Sequence, residues 1–431
     1  MDALALYDEL TARRTRFVRV DELCRRAAEK AALPSVDELA AEARRPLKEK
    51  QGLEKAHGAF IAEILADPAA GTHLCHAMLL PHPRTGEMLA EFDRTGRFEA
   101  PGARLERQGK AAMLTMRNPR YLNAEDESTL EGLEIAVDLA LLDRRTEVCV
   151  LRGDFVDHPK YAGRRLFGAG INLTHLYQGR IRYLWYLIRD LGLVNKLYRG
   201  VAFENESPEK ASVEKLWIAA VEGFAIGGHC QILLTIDHTL AAEDAYLTLP
   251  ARKEGIIPGA ANLRLPRFVG DRIARQAILA ELRIECASDV GRMLCDAVVS
   301  RNDMDRTISE TVEKLTGSGV VSAAGNRRAI RAGQEPLDLF RRYMSTPMMA
   351  RPASQTSASH HRQNVLTREK LQRETRRTVA MAGRHCCSKG YVPNRMKRCF
   401  SAMKPQQAPL ASWQALGSGR QTASMSAQSM T

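Results

Sequence analysis

The spacing of apolar residues divides the chain into regions of different kinds. Over residues 1–100, apolar residues recur three and four positions apart, a period that predicts amphipathic helices. Ser35 and Asp21 are candidate N-caps of two of these helices. Farther along, short apolar segments alternate with helical patterns instead. We therefore predict a helical N-terminal domain at residues 1–100 and an α/β domain at residues 101–346.

The alternating region contains a strand, helix and strand in succession. Residues 109–116 and 146–151 are strand-like, and residues 124–142 between them form an amphipathic helical pattern. Because strands joined by a helix in this way are parallel, the unit predicts a parallel sheet. Further strands are predicted at residues 217–221 and 239–242, and a further helix at residues 271–282.

A pair of glycines follows one of these strands. The apolar residues 217–221 lead to a turn at Gly227 and Gly228, and residues 231–236 then form the pattern of a buried helix. Glycine lets a ligand oxygen come close to the backbone, and the start of a helix carries a partial positive charge. The sequence therefore predicts a site for an oxyanion at this turn.

The positive charge of the chain is concentrated at its C-terminus. The 431 residues carry a net charge of +12, yet residues 346–431 contain 14 Lys and Arg against 2 acidic residues, which leaves 49 of each sign elsewhere. Ser, Gln, Thr, Arg and Ala dominate residues 347–431, so we predict a basic, mostly disordered tail there. Its few aromatic residues and the lack of a recognisable RNA-binding module make nucleic acid an unfavoured partner.

Cysteine usage and hydropathy indicate the compartment. The nine cysteines are scattered and odd in number, which is typical of free thiols in a reducing compartment. No run of about 18 apolar residues and no signal-peptide pattern occurs, so we expect a cytoplasmic protein outside the membrane. The nearest metal-binding pattern, at residues 73–76, lacks a second ligand pair, and we predict no metal site.

Four segments carry a resemblance to a known family. They are R-N-P-R-Y-L-N-A at residues 117–124, R-L-F-G-A-G-I-N-L at 165–173, I-A-A-V-E-G-F-A-I-G-G-H-C at 218–230 and P-A-R-K-E-G-I-I-P-G-A-A-N-L-R-L-P-R-F-V-G at 250–270. In this order and spacing they resemble the crotonase (enoyl-CoA hydratase/isomerase) superfamily over half of the chain. The resemblance implies an α/β fold with a crotonase-like ββα spiral core, an acyl-CoA substrate, and a homotrimer or a dimer of trimers.

Within the superfamily, three segments most resemble cofactor-independent dioxygenases of glycopeptide-antibiotic pathways. These are H-P-K-Y-A-G-R-R at residues 158–165, W-Y-L-I-R-D-L-G-L-V-N-K-L-Y-R-G at residues 185–200 and the segment at residues 250–270 given above. The resemblance implies conversion of (3,5-dihydroxyphenyl)acetyl-CoA and O2 to 3,5-dihydroxyphenylglyoxylate and CoA through a thioester enolate. It also implies that no metal, flavin or other cofactor takes part, and that the product feeds the biosynthesis of a nonproteinogenic aryl amino acid.

The resemblance also implies roles for individual residues. The backbone N–H groups of Ile171 and Gly228 are expected to form the oxyanion hole for the enolate. Gln231 and Ala251 stand where hydratases place glutamates, and hydration is unfavoured because neither an amide nor a methyl group can transfer a proton. His229 stands where the family more often has a third glycine, and its side chain either points away from the turn or perturbs it.

Other residues are assigned to the two substrates. The expected oxygen pocket is formed by the apolar residues Pro250, Ala251 and Ile256. The expected partners of the aryl group are Glu125, His158, Arg189 and Gln231, with His158 gating or orienting the site. CoA is expected near residues 169–171, Arg164 and Arg165.

Alternatives remain open at this point. Glu125 could be a surface helix cap, and Arg189 could simply pair with Asp190. The chain could also be another acyl-CoA hydrolase or isomerase of the superfamily, or a non-catalytic homologue that binds nucleic acid through its tail. The N-terminal helices are hypothesised to cap the substrate pocket.

Overall fold

The predicted apolar strands pair into a central sheet in this computed structural model of the protein. The structure describes residues 2–30, 32–46, 49–254 and 257–346, and Ile256 and the predicted tail at 347–431 lie outside them. The strands are β1 (Arg97–Ala100), β2 (Ala103–Gln108), β3 (Ala111–Met116), β4 (Val148–Gly153), β5 (Val201–Ala202), β6 (Ser212–Val213), β7 (Leu216–Val221), β8 (Phe224–Ile226), β9 (His238–Ala242), β10 (Tyr246–Thr248), β11 (Ile284–Glu285) and β12 (Ala297–Val299).

Seven strands form the central sheet, in the order β1-β2-β3-β4-β7-β9-β12. Strands β1, β2 and β3 pair antiparallel, whereas β3, β4, β7, β9 and β12 pair parallel. All residues of β4 are buried, as expected for a parallel strand covered on both faces. A smaller sheet has the order β11-β10-β8, and β5 pairs with β6. The predicted parallel α/β core is confirmed.

Helices surround these sheets and also form the N-terminal part of the chain. They are α1 (Ala3–Leu10), α2 (Val20–Glu29), α3 (Val36–Ala43), α4 (Lys55–Ala66), α5 (Pro68–Leu79), α6 (Thr85–Thr95), α7 (Glu127–Leu142), α8 (Leu173–Tyr177), α9 (Tyr183–Ile188), α10 (Asn195–Arg199), α11 (Gly228–Leu233), α12 (Ala261–Leu279), α13 (Met304–Thr316), α14 (Val320–Gln334) and α15 (Leu337–Met344). A π-helical segment, Arg189–Val194, joins α9 to α10.

Several boundaries differ from the sequence prediction. Ser35 caps α3 in a capping box with Glu38, as predicted, but Asp21 is not an N-cap, because α2 already begins at Val20 and places Asp21 in its first turn. The buried helix after the glycine pair begins three residues earlier than predicted, at Gly228, since Gly227 at φ 55° ends the preceding strand and α11 follows directly. The predicted helix at residues 271–282 corresponds to the second half of α12, which Gly270 interrupts.

The hairpin of β1 and β2 was absent from the sequence prediction. Strand β1 lies inside residues 1–100, for which only helices are predicted. Both strands carry charged residues, R-F-E-A and A-R-L-E-R-Q, and β1 has no fully buried position. A half-exposed strand of four residues gives too short an alternation of apolar and polar residues to be recognised.

The N-terminal helices and the α/β core belong to one compact unit. A buried ion cluster joins them: both Glu134 oxygens of α7 accept from Arg19 Nη2, at 2.8 and 2.9 Å. Lys196 of α10 pairs with Glu134 and with Asp138, each at 2.8 Å. We call Arg19, Glu134, Asp138 and Lys196 the sealed cluster, because all four side chains are buried. In this respect the helical region is not a separate domain.

Two further observations concern the predicted compartment. Among the described residues, no helix is both long enough and apolar enough to cross a membrane. The described cysteines, Cys24, Cys75, Cys149, Cys230, Cys286 and Cys295, are buried free thiols.

Candidate active site

Two glycine-containing loops meet at one end of the central sheet. Gly170, in the loop before α8, has φ 79°, and a Cβ added to it would lie 2.6 Å from the Ile226 carbonyl oxygen and 3.3 Å from the Gly228 nitrogen. Glycine is therefore required at position 170 for both conformational and steric reasons. This close approach places Ile171 beside Gly228.

The backbone N–H groups of Ile171 and Gly228 have no hydrogen-bond acceptor within the described ranges. The neighbouring groups are paired: Glu125 N–H donates to the Gly170 carbonyl at 2.7 Å, and Asn172 N–H donates to the Glu125 carbonyl at 2.8 Å. Both Ile171 and Gly228 line a cavity of about 100 Å³. Two unpaired backbone donors at one cavity can stabilise an oxyanion that develops there.

A buried polar cluster lies next to these donors. Arg189 Nε and Nη2 donate to the two carboxylate oxygens of Glu125, at 2.8 Å each. Arg189 Nη1 donates to Asp190 Oδ1 at 2.9 Å and to Gln231 Oε1 at 2.6 Å, and Nη2 also donates to the Gly228 carbonyl at 3.0 Å. All five guanidinium protons are thus used. We call Glu125, Arg189, Asp190 and Gln231 the cavity cluster, since all four residues line the cavity.

The two carboxyl groups of the cavity cluster respond differently to burial. Burial by itself raises the pKa of Glu125, but the charge and hydrogen bonds of Arg189 outweigh it and hold the pKa of Glu125 below its usual range. Burial prevails at Asp190 and raises its pKa in spite of Arg189. Glu125 is therefore the more firmly ionised of the two acids.

Helix α9 and the π-helical segment after it bring Arg189 and Asp190 to the cavity. Such π-helical turns are rare and are often found at functional sites. The N-terminal helices pack behind this segment: a Cβ added to Gly58 of α4 would lie only 2.3 Å from Tyr183 Cε1. The described residues of the N-terminal helices contribute nothing to the cavity lining. Contrary to our hypothesis, these helices support the cavity wall from behind and do not cap it.

The opposite wall of the cavity is apolar. Pro250 and Ala251 line it together with Ile257 and Pro258, and their role as an oxygen pocket stays a prediction. Ile256, the remaining residue expected in the oxygen pocket, lies outside the described residues. The part of this wall that can be described therefore offers no polar side chain to a ligand.

Three predicted residues do not reach the cavity. His158 lies in the loop after β4, where its Nδ1 accepts from Lys160 N–H at 3.1 Å and its ring packs near Tyr161. Arg164 pairs with Asp244 on the surface, and Arg165 lies over the Phe155 ring. None of the three lines the described cavity, and their expected roles, gating for His158 and CoA binding for Arg164 and Arg165, stay predictions.

Two residues matter more than the sequence indicated. Asp190, considered there only as an ion-pair partner of Arg189, itself lines the cavity. The His229 side chain neither points away nor disrupts the turn: it is buried, and its Nδ1 accepts a hydrogen bond from Gly170 N–H at 2.9 Å. Burial lowers the pKa of His229 to about 4, so the imidazole is neutral at physiological pH. Two adjacent charged residues, Arg189 and Asp190, within an otherwise apolar helical segment were the sequence feature that could have indicated a role for Asp190.

Comparison with known proteins agrees with this geometry. Residues 106–374 match the family described as enoyl-CoA hydratase/isomerase. The chain is 47% identical over 343 residues, 79% of its length and 78% of the relative, to (3,5-dihydroxyphenyl)acetyl-CoA 1,2-dioxygenase of Amycolatopsis orientalis. It is 28% identical, over 54% of its length and 81% of the relative, to the short-chain-enoyl-CoA hydratase of Clostridium acetobutylicum.

Solved structures show the same fold. The crystal structure of an enoyl-CoA hydratase/isomerase from Xanthobacter autotrophicus Py2 superimposes with a TM-score of 0.50 and 21% identity, covering 64% of this chain and 99% of that one. Together with the family match, this confirms the predicted fold. The chain therefore belongs to the enoyl-CoA hydratase/isomerase, or crotonase, family.

Proposed function

We propose that the protein is a cofactor-independent dioxygenase that converts (3,5-dihydroxyphenyl)acetyl-CoA and O2 to 3,5-dihydroxyphenylglyoxylate and CoA. The observation that carries this proposal is one cavity with three parts. Unpaired N–H groups of Ile171 and Gly228 lie beside the cavity cluster, and an apolar wall completes the lining. The similarity to the Amycolatopsis orientalis dioxygenase over 79% of the chain supports the same substrate.

The two N–H groups act on the thioester carbonyl. Loss of an α-proton from the arylacetyl group turns this carbonyl into an enolate oxygen, whose negative charge Ile171 and Gly228 stabilise. Removal of one such donor in other enzymes lowers the rate by about 10²–10³. The aryl ring and the thioester both acidify this proton. The oxyanion hole adds to their effect, because it stabilises the negative charge that develops on the thioester oxygen.

The enolate then supplies the electrons that reduce O2. One electron passes to O2, and the resulting radicals combine to form a peroxide at the α-carbon. The outer peroxide oxygen attacks the thioester carbonyl and expels CoA as a thiolate, which takes up a proton. Cleavage of the O–O bond with loss of the second α-hydrogen leaves the ketone and the carboxylate. Both atoms of O2 end in the product, and the reaction needs no further reductant.

The cavity cluster is proposed to bind the ring hydroxyl groups. Arg189 has no free N–H, so the hydroxyls would donate to the remaining lone pairs of the Glu125 and Asp190 carboxyl groups. Arg189 holds these acceptors in place and does not itself contact the substrate in this proposal. Gln231 completes the cluster, because its Nε2 donates to Asp190 Oδ1 at 3.1 Å.

The apolar wall is proposed to receive O2. Oxygen is apolar and needs no charged contact, and side chains such as Pro250 and Ala251 exclude water that would protonate the enolate. Gln231 and Ala251, at the positions where hydratases place glutamates, offer no carboxylate that could activate water. This favours oxygen chemistry over hydration.

The proposal extends to the compartment, the pathway and the oligomeric state of the protein. We propose a cytoplasmic enzyme of antibiotic biosynthesis, consistent with the free thiols of the described cysteines. A homotrimer or a dimer of trimers is proposed on the family membership of the chain.

An oxygen electrode tests the proposal. With (3,5-dihydroxyphenyl)acetyl-CoA and a metal chelator present, we expect one O2 consumed for each CoA released. CoA release without O2 uptake would assign the protein to the acyl-CoA hydrolases instead. Absence of both from well-folded protein would reject the proposed substrate.

A further inference from the structure

The His229 side chain connects the two loops that carry the oxyanion donors. His229 follows Gly228 directly, and its Nδ1 accepts from the N–H of Gly170, the residue before Ile171. The imidazole is fully buried and is absent from the described cavity lining. His229 therefore acts on the reaction from outside the cavity lining, through the backbone of these loops and through the Glu125 carboxylate, whose Oε2 lies 3.8 Å from its Nδ1.

This hydrogen bond determines which ring nitrogen carries the proton. A backbone N–H can only donate, so Nδ1 is unprotonated and the proton resides on Nε2. Nε2 is buried and has no partner among the described residues, and the ring lies edge-on to Phe167, with centroids 6.0 Å apart. A buried donor without an acceptor is unfavourable for stability. Stability alone thus gives no reason for a histidine at this position.

The same side chain completes the anchoring of a loop that backbone hydrogen bonds hold on both sides of Gly170: Ala169 N–H donates to the Leu122 carbonyl at 3.2 Å and Asn172 N–H to the Glu125 carbonyl at 2.8 Å. Gly168 and Gly170 flank Ala169, and both have backbone conformations that favour glycine, with φ 159° and 79°. The Gly170 carbonyl is held by Glu125 N–H, and its N–H is held only by His229. A Cβ added to Gly168 would lie 2.3 Å from the His229 ring, so loop and ring are in close contact.

Oxyanion stabilisation depends on donors that are fixed before the charge develops. We propose that His229 is a positioning residue, which locks the Gly170–Ile171 loop to the Gly228 turn so that both N–H groups converge on the thioester oxygen. The inference rests on the proposed function, because it assigns these N–H groups to a thioester enolate. His229 itself does not touch the substrate.

Three substitutions test this role. Asn places its side-chain oxygen near the position of Nδ1, Gln places it near that of Nε2, and Leu offers no acceptor. We expect His229→Asn to keep kcat within ~3-fold, and His229→Gln and His229→Leu to lower kcat by ~10–100-fold with KM changed less than ~3-fold. Should His229→Leu fail to fold, the Asn and Gln pair still gives the comparison, since both are polar.

A matched control and a second readout separate positioning from general destabilisation. His76 of α5 is also buried and its Nε2 pairs with the Phe203 carbonyl at 2.7 Å, but it lies away from the cavity. His76→Leu is expected to leave kcat within ~2-fold. The second readout is the ¹³C shift of the carbonyl in a bound arylacetyl-CoA analogue whose α-carbon carries no hydrogen. This shift reports polarisation by the two N–H groups.

The outcomes distinguish the inference from the proposed function. If the unaltered protein consumes no O2, the proposed function fails, and the carbonyl shift alone decides the role of His229. A shift that is smaller in His229→Gln than in His229→Asn supports positioning. Equal shifts, or equal kcat values in active Asn and Gln variants, would overturn the inference.

Discussion

Two buried arginine–glutamate pairs in this protein have the same local chemistry and different surroundings. Arg189 pairs with Glu125 through two contacts of 2.8 Å, and Arg19 pairs with Glu134 through contacts of 2.8 and 2.9 Å. In the sealed cluster two cations meet two carboxylates. In the cavity cluster one cation serves two carboxyl groups, and all members line a cavity.

The comparison shows how one type of interaction serves two purposes. The sealed cluster is balanced in charge and joins the N-terminal helices to α7 and α10, so it stabilises the fold. The cavity cluster has an excess acid, because Arg189 alone faces both Glu125 and Asp190; burial raises the pKa of Asp190 here and that of Asp138 in the sealed cluster alike. The carboxyl oxygens of the cavity cluster keep lone pairs that a substrate hydroxyl can use. Burial of an ion pair is therefore no sign of function unless acceptors remain available at a cavity.

The largest expected difference comes from lysine substitutions in the two clusters. Lysine keeps the charge but cannot make the paired contacts of a guanidinium. Arg189→Lys should lower kcat/KM by ~10²–10³, because Glu125, Gln231 and the Gly228 carbonyl lose their common partner. Arg19→Lys should lower the free energy of unfolding by ~1–3 kcal/mol and leave kcat/KM within ~3-fold.

Steady-state O2 uptake and urea unfolding of both variants provide the two measurements. Equal losses of kcat/KM in the two variants would remove the distinction between the clusters.

Substrate analogues without ring hydroxyls should give the next largest effect. A site that pairs hydroxyl groups rejects analogues lacking them, and we expect phenylacetyl-CoA to have a kcat/KM lower by ~10². The ratio of kcat/KM for the dihydroxylated substrate to kcat/KM for phenylacetyl-CoA measures this selectivity. Glu125→Gln should reduce the ratio, because a neutral amide is a weaker acceptor than a carboxylate. Glu134→Gln in the sealed cluster should leave the ratio unchanged. The ratio is obtained from CoA release with both substrates. An unchanged ratio in Glu125→Gln would argue against hydroxyl binding by Glu125.

A methyl group at Gly259 should have a smaller effect. An added Cβ would lie 2.0 Å from Gln231 Nε2 and 2.4 Å from Asp190 Oδ2, so Gly259→Ala should displace the cavity cluster and lower kcat/KM by ~10-fold. Gly319 also has a positive φ, 74° against 46° at Gly259, but no heavy atom lies near its added Cβ. Gly319→Ala is the matched control, and a similar loss of activity in both variants would contradict the steric argument.

The smallest effect concerns stability in acid. Folded His229 has a pKa of about 4, whereas an unfolded histidine titrates near 6.5. The unfolded chain therefore binds more protons between these values, and the free energy of unfolding falls as the pH drops from 6.5 to 4. Removing this group in His229→Asn should reduce that loss by up to ~3 kcal/mol.

Urea unfolding at pH 7, 6 and 5 measures the acid effect. Glu125 and Arg189, the charged groups that face the imidazole, remain in both proteins. The same pH slope in both proteins would mean that water reaches the His229 ring and would contradict its burial.

The sequence was sufficient for the core strands, because continuous apolar runs such as residues 217–221 identified the buried parallel strands. The oxyanion roles of Ile171 and Gly228 came from the resemblance to the crotonase family and stay a prediction. The hairpin of β1 and β2 was missed, since its charged, half-exposed residues give no strong period.

Side-chain directions within the site could not be predicted. The His229 ring fits between the loops only because Gly168 leaves room for it, and this contact is visible only in three dimensions. His158 has the same chemistry, but Lys160 and Tyr161 hold it in its own loop. Spacing along the chain cannot distinguish these two histidines.

Isotope labelling tests the central claim most directly. The protein is incubated with (3,5-dihydroxyphenyl)acetyl-CoA under ¹⁸O2, and the product is analysed at once by mass spectrometry, before the ketone exchanges with water. The proposed reaction predicts two ¹⁸O atoms in each 3,5-dihydroxyphenylglyoxylate, one in the ketone and one in the carboxylate. A product that carries no ¹⁸O, with its oxygen derived from water, would contradict the dioxygenase assignment.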